Sequence, residues 1–471
     1  MHMASFLGGL FTIRFSDKHE RLKFILLTLA FAFVIGSYTI AKELKDSIFV
    51  SIVGKEYMPT AKFMVIFLLI PAALGYSRLV DICRRYQLLA FYSLLYGLVL
   101  ALFTLLLGHH SIGLYNTQAS PARLFGWIFY FVLEGYSPFV VSVFWAFLNS
   151  VSSPDEAKNQ YPLMVAGSKV GGVLTALFAW YLLDHANVLS GFGQINHDVV
   201  AHQILMAIVS GMLLVVPVIL IALMKFVPGR YLHGYEAVYQ LEKKHQHDDV
   251  DTKTSMLSGI RLLVESPYIL GIFGLVFFYE TLNVVLNFQR IGLLKDASTS
   301  MAGFTASMFW QRYQMHLYGL ILSLFGVQLL FKKLDVRRCL MVVPLSVSLL
   351  LVFFVLTYSA ESILYVFIGL GTINYSLSYP LRESLYIPAT KDMKFKAKAW
   401  IDTFGTKFSK GFGSLFADIT SRVPANSGWF SIVYVGFFGC LMLLWFLTSW
   451  MLGKTYEKAI KSNGIIGSER A

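Results

Sequence analysis

The sequence predicts an all-α polytopic membrane protein with about twelve transmembrane helices, and three observations carry that expectation. Hydrophobic residues make up 56% of the chain and charged residues only 14%, whereas a soluble domain carries about 25% charge. Apolar stretches long enough to cross about 30 Å of hydrocarbon recur in two sets of six. The loops between them alternate between basic and free of lysine and arginine. A mean hydropathy of +0.63 agrees with all three, and the chain is therefore expected to be solvated by a lipid bilayer.

In chain order, the first set of spans begins near Leu22, Ala61, Leu88, Leu124, Tyr161 and His202. The second begins near Pro267, Phe304, Leu340, Ser362, Ala399 and Trp429. The predicted organisation is an N-terminal six-helix half over 1–227, a cytoplasmic linker over 228–261, a C-terminal six-helix half over 262–453 and a cytoplasmic tail over 454–471. The linker, with EKKHQHDDVDTK, reads as solvated and not as a domain. No signal or transit sequence is evident before the first span.

Lysine and arginine cluster before the first span (Arg14, Lys18, Arg21, Lys23) and between the second and third (Arg78, Arg84, Arg85). They recur in the linker, between spans eight and nine (Lys332, Lys333, Arg337, Arg338), between ten and eleven, and in the tail. The alternate loops 108–121, 185–200 and 358–361 contain neither residue. The positive-inside rule then puts both termini and the linker in the cytoplasm. It also accounts for the net charge of +12 without a nucleic-acid partner. Cys83, Cys339 and Cys440 fall at cytoplasmic or buried positions, and no disulfide is expected.

The halves echo each other. RLVDICRRYQLL, from Arg78, and KKLDVRRCLMVV, from Lys332, both follow the second span of their half, and both run basic, leucine, aspartate, arginine pair. Repeated six-span halves point to a major facilitator-like architecture, with a binding site expected at the midplane between them.

Charges inside the spans carry the functional reading. The apolar run of the first span continues to Gly54, so Lys42 and Lys45 lie within one long helix, with Asp46 four residues after Lys42 and able to pair with it. An interfacial helix end with snorkelling lysines is the alternative. The fourth span holds Glu134 near its middle, where a carboxylate costs about 2.5–3.5 kcal/mol unless it meets water, a proton or a partner. Pro138 is expected to kink that helix, and Tyr130, Glu134, Ser137, Trp145 and Asn149 share its polar face. Lys169 sits in the fifth span among Gly167, Gly171 and Gly172, which permit close packing. The seventh carries Glu280, Asn283, Asn287, Gln289 and Arg290, and the eighth opens with Arg312 and His316.

The densest cationic stretch is 379–414, with Arg382, Lys391, Lys394, Lys396, Lys398, Lys407 and Lys410. Read as one helix from about Lys394, it places Lys396, Trp400, Thr403, Lys407, Lys410 and Ser414 on a single stripe. Lys391 and Lys394 read as loop charge. Lysines this deep need water, counter-charge or an anionic ligand. His109, His110 and the linker histidines have no metal-ligand context, and no metal or cofactor is expected. GxSxG, HExxH and CxxC are absent, and Gly453-Lys454-Thr455 has Thr448 where a P-loop needs glycine. Positive charge within the spans exceeds negative. The residues by themselves describe a transporter for a multiply charged anion, not an enzyme.

Several motifs resemble a known family. KELKDSIFVSIVG with MPTAK, FWAFLNSVSSPDEAKNQYPLMVAGSKVG, ESLYIPATKDMKFKAKAWID and KFSKGFGSL are similar to those of the ATP/ADP translocases (nucleotide transporters) of obligate intracellular bacteria and plastids. The family pattern runs R-D-T-K-D, E-I-I-P-F-L-K, F-W-G-x-x-N with D-E-A-K-x-x-Y-P-L, K-E-M-A-Y-I-P-L, K-x-K-G-K-A-A-I-D and G-K-S-G-G, in the same order from about Lys42 to Leu415. The resemblance implies that Lys45, Glu134 and Lys410 take part in nucleotide exchange, with Lys396 and Lys398 as a further basic pair. Lysines would hold phosphates as mobile point charges, and Trp145 or Trp400 would stack on a base. The charges inside the spans and the resemblance together give a candidate substrate set of Lys42, Lys45, Glu134, Trp145, Lys169, Asn283, Arg290, Arg382, Lys396, Lys398, Lys407 and Lys410.

The sequence also departs from the family. Where the seventh span of the family reads L-V-E-V-T-W-K, this chain has V-V-L-N-F-Q-R, so Leu286 replaces the glutamate, Gln289 the tryptophan and Arg290 the lysine. Glu280 is a candidate substitute for the lost acid. Lys169 replaces a family asparagine, and Lys42-Glu43 stands for Arg-Asp. The cavity is left more positive than the family's. ATP/ADP-type exchange by a monomer is the favoured expectation. Proton-coupled import of another nucleotide or phosphorylated organic anion, with Glu134 as proton carrier, is the alternative. A membrane enzyme acting on a lipid or polyprenyl phosphate, and a non-transporting sensor, are the readings from other classes.

Overall fold

The computed structural model describes residues 17–152, 154–186, 196–232, 256–322, 334–357, 359–386, 388–389, 393, 397–421, 428–462 and 466. Among them the structure is helical throughout, apart from turns and one parallel bridge between Ala389 and Ile466.

Six long helices come from the first half of the chain: α1 (Lys18–Ile52), α2 (Met58–Ile82), α3 (Arg85–Leu107), α4 (Leu124–Glu134, Ser137–Val141 and Ser142–Val151), α5 (Pro154–Asp184) and α6 (His197–Phe226). A short amphipathic helix, Met256–Glu265, precedes the second six. These are α7 (Pro267–Asp296), α8 (Met301–Ile321), α9 (Val336–Thr357), α10 (Ala360–Ile373, Asn374–Ser378 and Tyr379–Leu385), α11 (Lys398–Trp400, Ile401–Gly405 and Thr406–Ser421) and α12 (Gly428–Lys461). Stretches of α1, α3, α4, α5, α6, α7, α9 and α12 are long and apolar enough to cross a membrane. The predicted all-α polytopic class holds.

The first helix is the long one that the apolar run predicts. Its 35 residues span about 52 Å at 1.5 Å per residue, well beyond the hydrocarbon thickness. Asp17 caps its start, accepting the backbone N–H of His19 at 2.8 Å and of Glu20 at 3.0 Å. Gly54 ends it with φ +128°, a conformation that strains any residue with a Cβ.

The chain forms two compact units. The first comprises 1–53, 69–251 and 300–313, and the second 54–68, 252–299 and 314–471. In the first, α1 packs along α4, α5 and α6, and α3 along α6 and α4. In the second, α7 packs along α10, α11 and α12, and α9 along α12 and α10. Each pairing recurs six helices later. The arginine pairs of the sequence echo follow suit: Arg84 and Arg85 open α3, and Arg337 and Arg338 open α9.

Small residues set the closest seams. A Cβ on Gly171 of α5 would lie 2.9 Å from the Ala32 carbonyl of α1, and one on Gly413 of α11 would lie 2.7 Å from the Thr281 carbonyl of α7. Backbone cannot yield there, so these glycines fix how near the helices run. Among the described residues, three helices are interrupted by a complete π turn, at Ser137–Val141, Asn374–Ser378 and Ile401–Gly405. The kink expected at Pro138 therefore takes the form of one extra residue in the turn.

Candidate functional site

In the first unit, α1 and α4 bring four predicted polar residues together. Lys45 is 7% exposed. Its Nζ donates to Glu134 Oε2 at 2.5 Å, lies 3.3 Å from Asp46 Oδ1, and stands 4.5 Å from the centroid of the Tyr130 ring. Local sequence explains the meeting: Tyr130 and Glu134 are one turn apart, on the same face of α4. The Lys45 ammonium thus lies against two carboxylates, the buried Asp46 and the half-buried Glu134. Such a lysine is a phosphate ligand only in competition with its own acids.

The other predicted residues of this unit make further contacts. Lys42 sits with its Nζ 5.9 Å from the Tyr38 ring, and Tyr38 stacks on Tyr136. Trp145 packs in an aromatic group with Phe31, Phe144 and Tyr161, with centroids 5.1 to 6.4 Å apart. Phe31 precedes Lys45 by about 21 Å of helix rise, so Trp145 and Glu134 lie at different heights along α1. The shared face predicted for α4 is broken by the Ser137–Val141 π turn between them. Lys169 is half-buried on α5, within the glycine seam against α1.

In the second unit Arg290 is the most enclosed predicted residue, at 0% exposure. Its Nη1 donates to Asn287 Oδ1 at 2.9 Å, and its guanidinium lies 3.9 Å above the Phe367 ring of α10. Arg290 stands about two turns from the end of α7, as Lys45 does in α1. Lys410 of α11 is 3.9 Å from Glu280 of α7. Glu280, considered from sequence as a substitute acid near Arg290, thus faces Lys410. Asn283, one turn after Glu280, and Lys407 are half-buried.

Near the start of α11, Lys398 pairs with Glu383 and lies 5.5 Å from the Tyr386 ring, while Arg382 lies 4.9 Å from the Tyr379 ring. Lys396, with Lys391 and Lys394, lies outside the described residues. The single basic stripe predicted from about Lys394 to Ser414 does not survive. The π turn at Ile401–Gly405 adds a residue to one turn, which rotates Lys407 and Lys410 by about 100° relative to Lys398 and Trp400.

Two buried polar pairs escaped the sequence reading. Arg312 of α8 donates from Nε to Glu43 Oε1 at 2.7 Å, with both side chains almost fully buried. His202 of α6, at 0% exposure, meets Thr305 Oγ1 at 2.9 Å through Nε2 and the Asp198 carbonyl at 2.6 Å through Nδ1. No local spacing links Glu43 to Arg312 or His202 to Thr305, so nothing in the sequence pairs them. The only available signal was their being ionisable inside apolar spans.

Comparison with known proteins places the chain in a family. The TLC ATP/ADP transporter family model matches residues 4–456. The ADP,ATP carrier protein 3 of Rickettsia typhi is 22% identical, covering 94% of this chain and 96% of its own length. ADP,ATP carrier protein 1 of Chlamydia pneumoniae is 23% identical over 96% of this chain and 95% of that one, and the chloroplastic ADP,ATP carrier protein 2 of Arabidopsis thaliana is 25% identical over 91% and 73%. Among solved structures, the xylose transporter XylE of E. coli in its inward-open conformation superposes with a TM-score of 0.59 at 13% identity, covering 93% of this chain and 98% of that one. A point mutant of the nucleoside transporter NupG gives 0.57 at 11%, covering 93% and 99%. The fold is therefore major facilitator-like, and the chain belongs to the TLC ATP/ADP transporter family.

Proposed function

We propose that this protein is a secondary transporter that exchanges nucleotides by alternating access. The observation that carries the reading is the pairing of the buried Lys45 with Glu134, flanked by Asp46 and Tyr130, in a chain of this family. A phosphate chain entering beside Lys45 would exchange a carboxylate partner for phosphate oxygens without leaving the ammonium alone. Arg290, Arg382, Lys396, Lys398, Lys407 and Lys410 are proposed as further phosphate contacts, with Lys42, Lys169 and Asn283 as supporting polar groups. Trp145 is proposed as the base-stacking residue. The two six-helix halves, 1–227 and 262–453, are taken as the functional repeats, joined by 228–261 and followed by a tail from 454. The protein is placed by this reading in a bacterial inner membrane as a monomer, with both termini and the linker cytoplasmic. It transports and does no covalent chemistry.

One observation favours a second reading. Glu134 is a carboxylate within an apolar span, an ionisable group of the kind that marks proton relays. Proton-coupled import of another nucleotide or phosphorylated organic anion follows, with Glu134 as carrier. Uptake of labelled nucleotides into cells expressing the protein separates the readings. Stimulation by preloaded ADP and indifference to an uncoupler indicate exchange, and collapse with an uncoupler indicates proton coupling. Absence of nucleotide uptake under every condition removes both nucleotide versions.

A further inference from the structure

The helices α3 and α6 are tightly joined over part of their length. A Cβ on Gly97 would lie 2.7 Å from Leu214 Cδ2, Ser210 Oγ donates to the Gly97 carbonyl at 2.7 Å, and Gln203 Nε2 donates to the Thr104 carbonyl at 2.8 Å. Towards the start of α3 and the end of α6 the seam opens. Pro217, which has no N–H to give its own turn, stands at the opening. Beyond it lies a cleft of about 540 Å³, walled by Ala90, Pro217, Leu220, Ile221 and Met224. Tyr86, Gln87 and Lys225 complete the lining.

The character of the cleft changes along its length. Its walls are apolar, and the neighbouring Phe91, Val218 and Phe226 are 46%, 62% and 57% exposed, as surfaces that face lipid chains are. At the terminal end of the two helices it meets Lys225, which is exposed, and the first residues of α3 there are Arg84 and Arg85. An apolar void beside lipid forfeits dispersion contacts along its whole wall unless something fills it. The filler must be a flexible hydrocarbon body joined to an anionic head. A nucleotide is too polar for these walls. We propose that this cleft binds an anionic phospholipid, with an acyl chain along Ala90 and Ile221 and the phosphate at Lys225. Basic sites between helices at the headgroup level recognise anionic lipids in this way. The lipid would then act as part of the α3–α6 seam where the helices part.

The test uses the full-length purified protein in neutral detergent, titrated with dioleoylphosphatidylglycerol or dioleoylphosphatidylcholine, with retained lipid counted by native mass spectrometry. One phosphatidylglycerol per chain is expected to be retained in clear preference to phosphatidylcholine. Lys225→Gln should lower that preference about fivefold, whereas Lys454→Gln, an exposed lysine near the end of α12, should leave it unchanged. Ala90→Trp fills the cleft and should abolish retention of both lipids; Ile221→Trp serves the same purpose if the first variant does not fold. Equal retention of the two lipids by the wild-type protein overturns the proposal. So does a Lys225→Gln protein with unaltered preference, or displacement of the lipid by free glycerol phosphate at similar concentration.

Discussion

Arg312 and Glu43 join α8 to α1 through a pair with 5% and 2% of their side chains exposed. Removing one partner leaves the other charge in a space that excludes water, which costs about 3–5 kcal/mol. Arg312→Leu and Glu43→Leu are each expected to lower thermal stability sharply. The double variant, with no charge left behind, is expected to recover most of the loss. A double-mutant cycle on melting temperature in detergent checks this, and additive losses would show that the two side chains act independently.

The Lys45 cluster responds differently to loss of its cation and of one of its anions. Glu134→Gln leaves Lys45 beside Asp46 at 3.3 Å, so the protein is expected to fold and express normally while losing transport. Lys45→Gln takes a buried cation away from the buried Asp46 and the half-buried Glu134, and a marked loss of stability is expected along with the loss of flux. Flux assays on protein in liposomes, paired with melting temperatures, read both effects. Wild-type transport by Glu134→Gln would remove this carboxylate from the mechanism.

The α7–α11 seam makes a prediction from geometry alone. Gly413→Ala would put a methyl 2.7 Å from the Thr281 carbonyl oxygen and 3.1 Å from Thr281 Cα. A loss of about 1–3 kcal/mol is expected, since backbone must move to admit it. Gly436→Ala in α12, where nothing lies within 4 Å, is expected to be neutral or to gain up to about 1 kcal/mol from helix propensity. Thermal denaturation of the pair decides it.

Outside the spans, Asp17 supplies a pH dependence. Its carboxyl is held below the ordinary 3.8, first by the hydrogen bond donated from the Tyr231 hydroxyl and then by the backbone N–H of Glu20. Because the folded value is the lower one, the stabilisation is complete above about pH 4 and is lost as pH falls through the folded value. Tyr231→Phe is expected to melt earlier than wild type near neutral pH, and the difference should shrink as the solution becomes more acid. A gap in melting temperature that stays constant with pH would assign Tyr231 a purely packing role.

The fold was legible because its signals are long. Apolar runs predicted twelve helices, and the run through Gly54 predicted that Lys42 and Lys45 lie within α1. Glu134 was legible as a lone carboxylate in an apolar span, whose cost required water, a proton or a partner, and its Oε2 accepts from Lys45. What stayed hidden depended on contacts far apart in the chain. Arg312 meets Glu43 across a separation of 269 residues, and Glu280 turned out to face Lys410. The basic stripe of α11 failed for a local reason, since a helical wheel assumes a constant 100° per residue and a π turn breaks the count.

The three π turns have a consequence for how this sequence tolerates change. After two of them a hydroxyl side chain bonds back to the carbonyl that opens the turn: Ser142 to Ser137 at 3.4 Å and Thr406 to Ile401 at 3.3 Å. Each turn is in effect a one-residue insertion that the helix has absorbed without breaking. Deleting a single residue from Ile401–Gly405 would give a regular helix of the same polarity, yet every side chain after it would point about 100° away from its present neighbours. Alignments of such chains that allow no gaps within spans therefore mismatch everything downstream, and Lys410 would be matched to the wrong helix face.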